Sequence, residues 1–175
     1  MMNGIELGDR EGHLLLHTVR QVHFHDADAP MATVVTPSVF VATRNEQGAL
    51  LLVRRCDSGT WELPGGQVDV GESVSRAGVR ETAEEAGVHV RVTGLVGLFT
   101  DPGHVVTAAG SGATRQQFVV CLYARAVRGD PRPDGQETSA AAWFNPQAAA
   151  ALSIEPGTAR WIRYALSGVA EPHLD

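Results

Sequence analysis

The chain has 175 residues, 43% of them hydrophobic, with Pro and Gly scattered rather than massed. That fits one soluble globular domain with a core of its own. A formal net charge of −6 supplies no basic field for a nucleic-acid backbone, so nucleic acid is excluded as an expected partner; phosphates can still bind where a metal ion carries the positive charge.

No apolar run approaches the roughly 20 residues of a membrane span. The amino-terminal MMNGIELGDR lacks the apolar stretch of a signal peptide, so a cytoplasmic location is expected. Cys56 and Cys121 lie far apart within apolar runs and read as reduced, buried strand residues without metal-ligand spacing.

Residues 1–30 read as an amino-terminal extension of unassigned role, and residues 31–175 as a single domain. His13, His17, His23 and His25 cluster in the extension. His23 and His25 alternate with Phe24, as on one face of a strand, but no Cys or further carboxylate completes a metal site, and surface histidines are the simpler reading.

From Pro37 the pattern sharpens. Val39 to Thr43 and Ala49 to Arg54 are β-prone runs flanking Asn45-Glu46-Gln47-Gly48, the signature of a hairpin. The loop Trp61-Glu62-Leu63-Pro64-Gly65-Gly66 follows. Ser73 to Ala86 predicts a helix with Ser73 as N-cap, Gly87 in the C′ position, and Val74, Ala77, Val79 and Ala86 on the buried side.

Val88 to Val92 and Leu95 to Thr100 predict two strands. The turn Asp101-Pro102-Gly103-His104 leads into a Gly/Ala/Ser-rich loop through Thr114, and Phe118 to Val127 predicts a long strand. Arg128 to Thr138 reads as an exposed loop and Ala142 to Phe144 as a short strand. Pro146 to Leu152 and Pro156 to Leu166 read as helices with Pro near the start. Mixed strands with a central and a carboxy-terminal helix predict an α/β sandwich.

The chemistry concentrates in Gly66 to Val88, GQVDVGESVSRAGVRETAEEAGV. Glu81, Glu84 and Glu85 stand at i, i+3 and i+4, so a helix projects all three from one face, where like charges repel by a few tenths of a kcal/mol per pair. A divalent cation with a preference for oxygen ligands makes such a face favourable; without one it is a solvated, charged helix surface. Gly65 and Gly66 let a substrate or metal approach the main chain. Gly78 costs roughly 1 kcal/mol in a helix interior relative to Ala, which close packing of the helix against a sheet would explain.

This stretch resembles the Nudix box, G-x5-E-x7-R-E-U-x-E-E-x-G-U with U bulky and apolar. Gly66, Glu72, Arg80, Glu81, Glu84, Glu85, Gly87 and Val88 all fall in register. Thr82 departs from the usual aliphatic residue. The resemblance extends over roughly residues 35–150, with LLVRRCDSGTWELPGG approaching the box and Trp143-Phe144 as the closing strand. It implies a Nudix-type α/β/α sandwich with a mixed β-sheet and a catalytic loop-helix-loop.

The resemblance implies a metal-dependent hydrolase of nucleoside diphosphate compounds, with Mg²⁺ or Mn²⁺ held by Glu81, Glu84, Glu85 and the Gly66 carbonyl. Arg80 orients a glutamate, and Glu72 supports the loop-helix junction. Two placements of the general base stay open: Glu84 or Glu85 in the box, or Glu137 in a loop outside it. Arg55, Trp61 and Arg115 are candidate substrate contacts, each with a structural alternative.

The turn at Asp101 resembles one in relatives acting on ADP-ribose or nucleotide sugars, which makes those the leading substrates. The alternatives are a (d)NTP pyrophosphatase that removes oxidised nucleotides, and a non-catalytic nucleotide-binding regulator. A homodimer is expected by analogy.

Overall fold

The computed structural model describes residues 19–175, so His13 and His17 lie outside the described residues. The elements in chain order are β1 (Gln21–Phe24), β2 (Val34–Arg44), β3 (Leu50–Arg55), β4 (Trp61–Glu62), β5 (Gly65–Gln67), α1 (Val74–Ala86), β6 (His89–Phe99), β7 (His104–Thr107), β8 (Thr114–Arg128), β9 (Thr138–Phe144), α2 (Pro146–Ala149), α3 (Pro156–Leu166) and β10 (His173–Leu174).

The main path through the sheet runs β1-β7-β8-β2-β3-β4, with β5 on β2, β6 on β8, β9 on β3 and β10 on β6. β2 runs parallel to β8 along its whole length, from Val34↔Arg115 to Arg44↔Arg125, so these two strands form the spine. A strand in this position is buried on both faces. Val39 and Val41 point to a cluster containing Ala77 and Ala86 of α1. Phe40 and Ala42 point the other way, to Trp161, Ile162 and Ala165 of α3. One helix covers each face, giving the expected α/β/α sandwich, and the unbroken apolar run Val39–Ala42 follows from that double burial.

The hairpin forms as expected: Arg44 pairs with Leu50, closed by Gly48 N–H to the Asn45 carbonyl at 3.1 Å. Other boundaries differ. The two strands expected after the helix are one strand, β6, which absorbs register shifts at Val92/Gly94 and Leu95/Gly97. Such bulges let a strand continue through residues that read as a break.

The loop expected up to Thr114 contains β7, and β8 begins at Thr114 rather than Phe118. The helix expected to reach Leu152 ends at Ala149. β1 joins the sheet edge from within the amino-terminal extension, pairing Gln21 with Thr107 and Phe24 with His104.

Cys121 is buried but Cys56 is exposed, contrary to expectation, and both are free. β3 ends at Arg55, which leaves Cys56 in the turn that follows. No described helix is long and apolar enough to cross a membrane.

Candidate active site

Helix α1 is bounded by two local devices. The Ser73 hydroxyl accepts the Arg76 N–H at 3.3 Å, and Gly87 adopts φ 68°, sending its N–H to the Ala83 carbonyl. Both are standard ways of satisfying end groups that have no partner within the helix. The inner face packs closely on the sheet: a Cβ on Gly78 would lie 3.0 Å from Val41 Cγ2. Buried Thr82 donates its hydroxyl to the Gly78 carbonyl at 2.7 Å, which satisfies the polar group that replaces the usual aliphatic one.

So anchored, the helix presents Glu81 half-buried, Glu84 exposed and Glu85 buried. Two guanidinium groups collect these carboxylates. Arg80 grips Glu72 with two bonds, Nε to Oε1 at 3.2 Å and Nη2 to Oε2 at 2.9 Å. Its Nη1 reaches Glu81 at 2.8 Å and Glu84 at 3.1 Å. The Arg80 hydrogen bonds hold the Glu72 carboxyl below its ordinary range. Glu72 thus ties the loop before α1 to the helix.

Arg55 is the second centre. Nη1 donates to Glu85 Oε1 at 3.3 Å and to Glu137 Oε2 at 3.1 Å. Nη2 donates to Asp57 at 3.1 Å, and Nε stands 3.5 Å from Glu62 Oε1. Arg55 faces this way by the alternation of β3: Leu51 and Val53, four and two residues before it, already lie in the α1-side core.

Glu85 also accepts the Gly65 N–H at 2.9 Å. Burial pushes its carboxyl up to about 8, against the pull of that N–H and of Arg55. Burial also raises Glu81 and Glu62; for Glu62, Arg20 and Arg55 oppose the rise.

A Cβ on Gly65 would meet the Val39 carbonyl oxygen at 2.2 Å, so the main chain admits no side chain there. A Cβ on Gly66 would lie 2.6 Å from Glu81 Oε1 and push that carboxylate aside. Among the described residues no three His, Cys, Asp or Glu side chains converge on a common point, because Arg80 stands between Glu81 and Glu84. The donors are nevertheless the hard oxygens that Mg²⁺ takes. Exposed Glu84 is tied only to Arg80, and the Gly66 main chain lies against the Glu81 carboxylate.

The structure brings Gly66, Arg80, Glu81, Glu84, Glu85, Arg55 and Glu137 into one connected site. Arg55 is occupied by carboxylates. Trp61 packs edge-on against Phe144 at 4.8 Å, beside the α3-side core.

Arg115 lies on β8, and its Nε is buried with no hydrogen-bond partner among the described residues. Two residues along, Gln117 accepts from Ser38 at 3.3 Å, and Ser38 pairs with Gln67, next to Gly66. Burial, and then the nearby charge of Arg20, lower Arg115 from its ordinary value.

His23 and His25 do not share a site: His23 pairs with Asp26 and His25 with Asp101. The turn at Asp101 holds the Gly103 N–H at 2.8 Å. It leads into buried His104, which packs against Trp161 and stands 3.9 Å from Glu155, the N-cap of α3.

The residues that sequence reasoning missed are Arg20, Asp57 and Glu62. Arg20 reaches Glu62 at 3.1 Å and lies 3.7 Å from Asp57. An acid inside the otherwise apolar Trp61-Glu62-Leu63 is the one available signal.

The sequence model of the NUDIX domain family matches residues 34–165. A "MutT-like protein" of Streptomyces ambofaciens is 30% identical over 145 residues, covering 83% of this chain and 83% of that protein. A Bacillus subtilis protein named "Putative 8-oxo-dGTP diphosphatase" is 33% identical over 111 residues, 63% of this chain and 67% of that one. Among solved structures, an ADP-ribose pyrophosphatase from Streptococcus suis is 25% identical with a TM-score of 0.59, covering 79% of this chain and 96% of its own. With the family match, the fold and the in-register box in agreement, this chain belongs to the Nudix family of pyrophosphohydrolases.

Proposed function

We propose that the chain hydrolyses the diphosphate linkage of a nucleoside diphosphate joined to a second group, with ADP-ribose or a nucleotide sugar as the leading substrate. The products are an NMP and a phosphorylated second group. The observation that carries this reading is the carboxylate face of α1, where Glu81, Glu84 and Glu85 share one turn and Glu85 is held up to about 8 by burial. At that value the metal-free protein keeps the carboxyl protonated at neutral pH, and a bound divalent ion would draw it down to the carboxylate that can ligate the ion or accept a proton.

Glu81, Glu84 and Glu85, with the Gly66 carbonyl, are the residues that would hold Mg²⁺ or Mn²⁺. Such an ion, when bound, neutralises the diphosphate and acidifies an attacking water. Arg80 aligns Glu81 and Glu84, and Arg55 aligns Glu85 and Glu137. Glu85 or Glu84 takes the proton of the water; Glu137, tied to the same guanidinium as Glu85, is the alternative base. Arg115 is the substrate contact best suited to an anion, because its Nε has no protein partner among the described residues. Trp61 serves as a core anchor.

A relative named "ADP-ribose pyrophosphatase" from Methanocaldococcus jannaschii, 39% identical over 66 residues but covering only 33% of this chain, supports the leading substrate. The Bacillus relative favours a second reading, a (d)NTP pyrophosphatase. The two differ in product: a sugar phosphate beside NMP, or pyrophosphate beside NMP.

The test is Mg²⁺-dependent turnover of ADP-ribose, nucleotide sugars, dinucleoside polyphosphates and dNTPs including 8-oxo-dGTP, with products separated by chromatography. Glu85→Gln should lose about 10²- to 10⁴-fold in kcat. Nucleotide binding without turnover across the panel would sink the proposal.

A further inference from the structure

Arg20 lies before the start of the family match at residue 34, in the segment leading into β1. It nevertheless enters the catalytic site. Its Nη2 donates to Glu62 Oε2 at 3.1 Å across 42 residues of sequence. Arg20 is 17% exposed and Glu62 only 3%. Removing one partner of such a buried pair leaves the other as an uncompensated charge.

The other Glu62 oxygen, Oε1, has no hydrogen bond among the described residues and only the looser 3.5 Å approach of Arg55 Nε. Arg55 in turn carries Glu85 and Glu137 on its Nη1. Three ion pairs therefore connect residue 20 to a carboxylate of the proposed metal face.

We propose that Arg20 is a positioning residue of the active site: by neutralising Glu62 it leaves Arg55 free to hold Glu85 and Glu137. Without Arg20, the buried Glu62 carboxylate, already 3.5 Å from Arg55 Nε, competes with Asp57, Glu85 and Glu137 for the Arg55 guanidinium. Arg55 turns toward Glu62, and Glu85 loses the partner that fixes its orientation. The segment before the family match is then part of the catalytic apparatus. The inference rests on the proposed metal role of Glu85.

The test reads metal alone: Mn²⁺ bound by metal-free protein, followed by loss of the free-ion EPR signal. The variants are Arg20→Met, Arg20→Lys, Glu62→Gln and the double variant Arg20→Met/Glu62→Gln, with folding checked by circular dichroism. Arg20→Met should weaken Mn²⁺ binding by about tenfold or more, as loss of an outer partner of a metal ligand does. Arg20→Lys keeps the charge and should stay within about threefold of the wild type.

Neutral Glu62→Gln removes the need for Arg20, so the double variant should match Glu62→Gln. Folded Arg20→Met with unchanged Mn²⁺ affinity would overturn the proposal. If Arg20→Met does not fold, the pair Glu62→Gln and double variant decides alone: equal affinities support the proposal and a tenfold gap overturns it. A wild type that binds no Mn²⁺ overturns both the metal reading and this inference. One that binds Mn²⁺ but hydrolyses nothing overturns only the proposed activity.

Discussion

Arg80 and Arg55 each gather several carboxylates, and they do so in opposite surroundings. Arg80 is 30% exposed and holds Glu72, Glu81 and Glu84. Arg55 is 10% exposed and holds Asp57, Glu62, Glu85 and Glu137. At the wet centre each pairing is screened and worth about 0–1 kcal/mol, so Glu81 and Glu84 can exchange the guanidinium for an ion at little cost. At the buried centre a lost partner leaves a charge stranded, so Arg55 acts as fixed scaffolding. One kind of side chain thus serves as a replaceable placeholder on one side of the site and as a permanent strut on the other.

The contrast breaks most visibly at Arg55. Arg55→Met should destabilise the fold by about 3 kcal/mol or more, the cost of breaking a buried pair, measured by urea unfolding. A loss under about 1 kcal/mol, the range of exposed pairs, would erase the distinction.

The next effect is pH-dependent. Glu85 has an ordinary value of 4.5 and is raised to about 8 in the fold. The folded protein therefore favours the protonated acid, and the stability this group contributes is complete below about 4.5 and is lost as the pH rises through about 8. Melting of metal-free protein should show Glu85→Gln gaining on the wild type across that window, with Mg²⁺ closing the gap. A difference that does not change with pH would refute the buried-acid reading.

Arg80→Ala is expected to have the smallest effect on stability, within about 1 kcal/mol, while turnover falls by about 10- to 100-fold. An unfolded Arg80→Ala protein would mean that both centres are struts.

The contrast also explains what was legible in the sequence. The Arg80 centre draws on one short stretch of sequence, from Gln67, Asp69 and Glu72 in the loop to Glu84 on α1, and the helix caps, Ser73 and Gly87, are local signals. Spacing alone places those residues. The Arg55 centre joins residues 20, 55, 57, 62, 85 and 137 from four separate stretches of the chain, a meeting that no local spacing announces.

The same reason hid β7 and β10 and left β1 visible only as the alternation of His23, Phe24 and His25. Each has two to four residues and exists because of a partner distant in sequence or across a turn. The β2 run Val39–Ala42 was legible as a strand, but its two-faced burial depends on α1 and α3 arriving from different parts of the chain.

The turn after β3 has a practical consequence. Of the two thiols in the sequence, Cys121 is sealed in the core, where burial pushes it well above its ordinary range. Cys56 is open to solvent, next to Arg55, and its N–H is held by the Glu137 carbonyl at 2.8 Å. A thiol-reactive fluorophore would therefore label the native protein at a single place, beside the buried charge centre. The wild-type chain carries its own attachment point for an optical reporter that can follow metal and nucleotide arriving in real time.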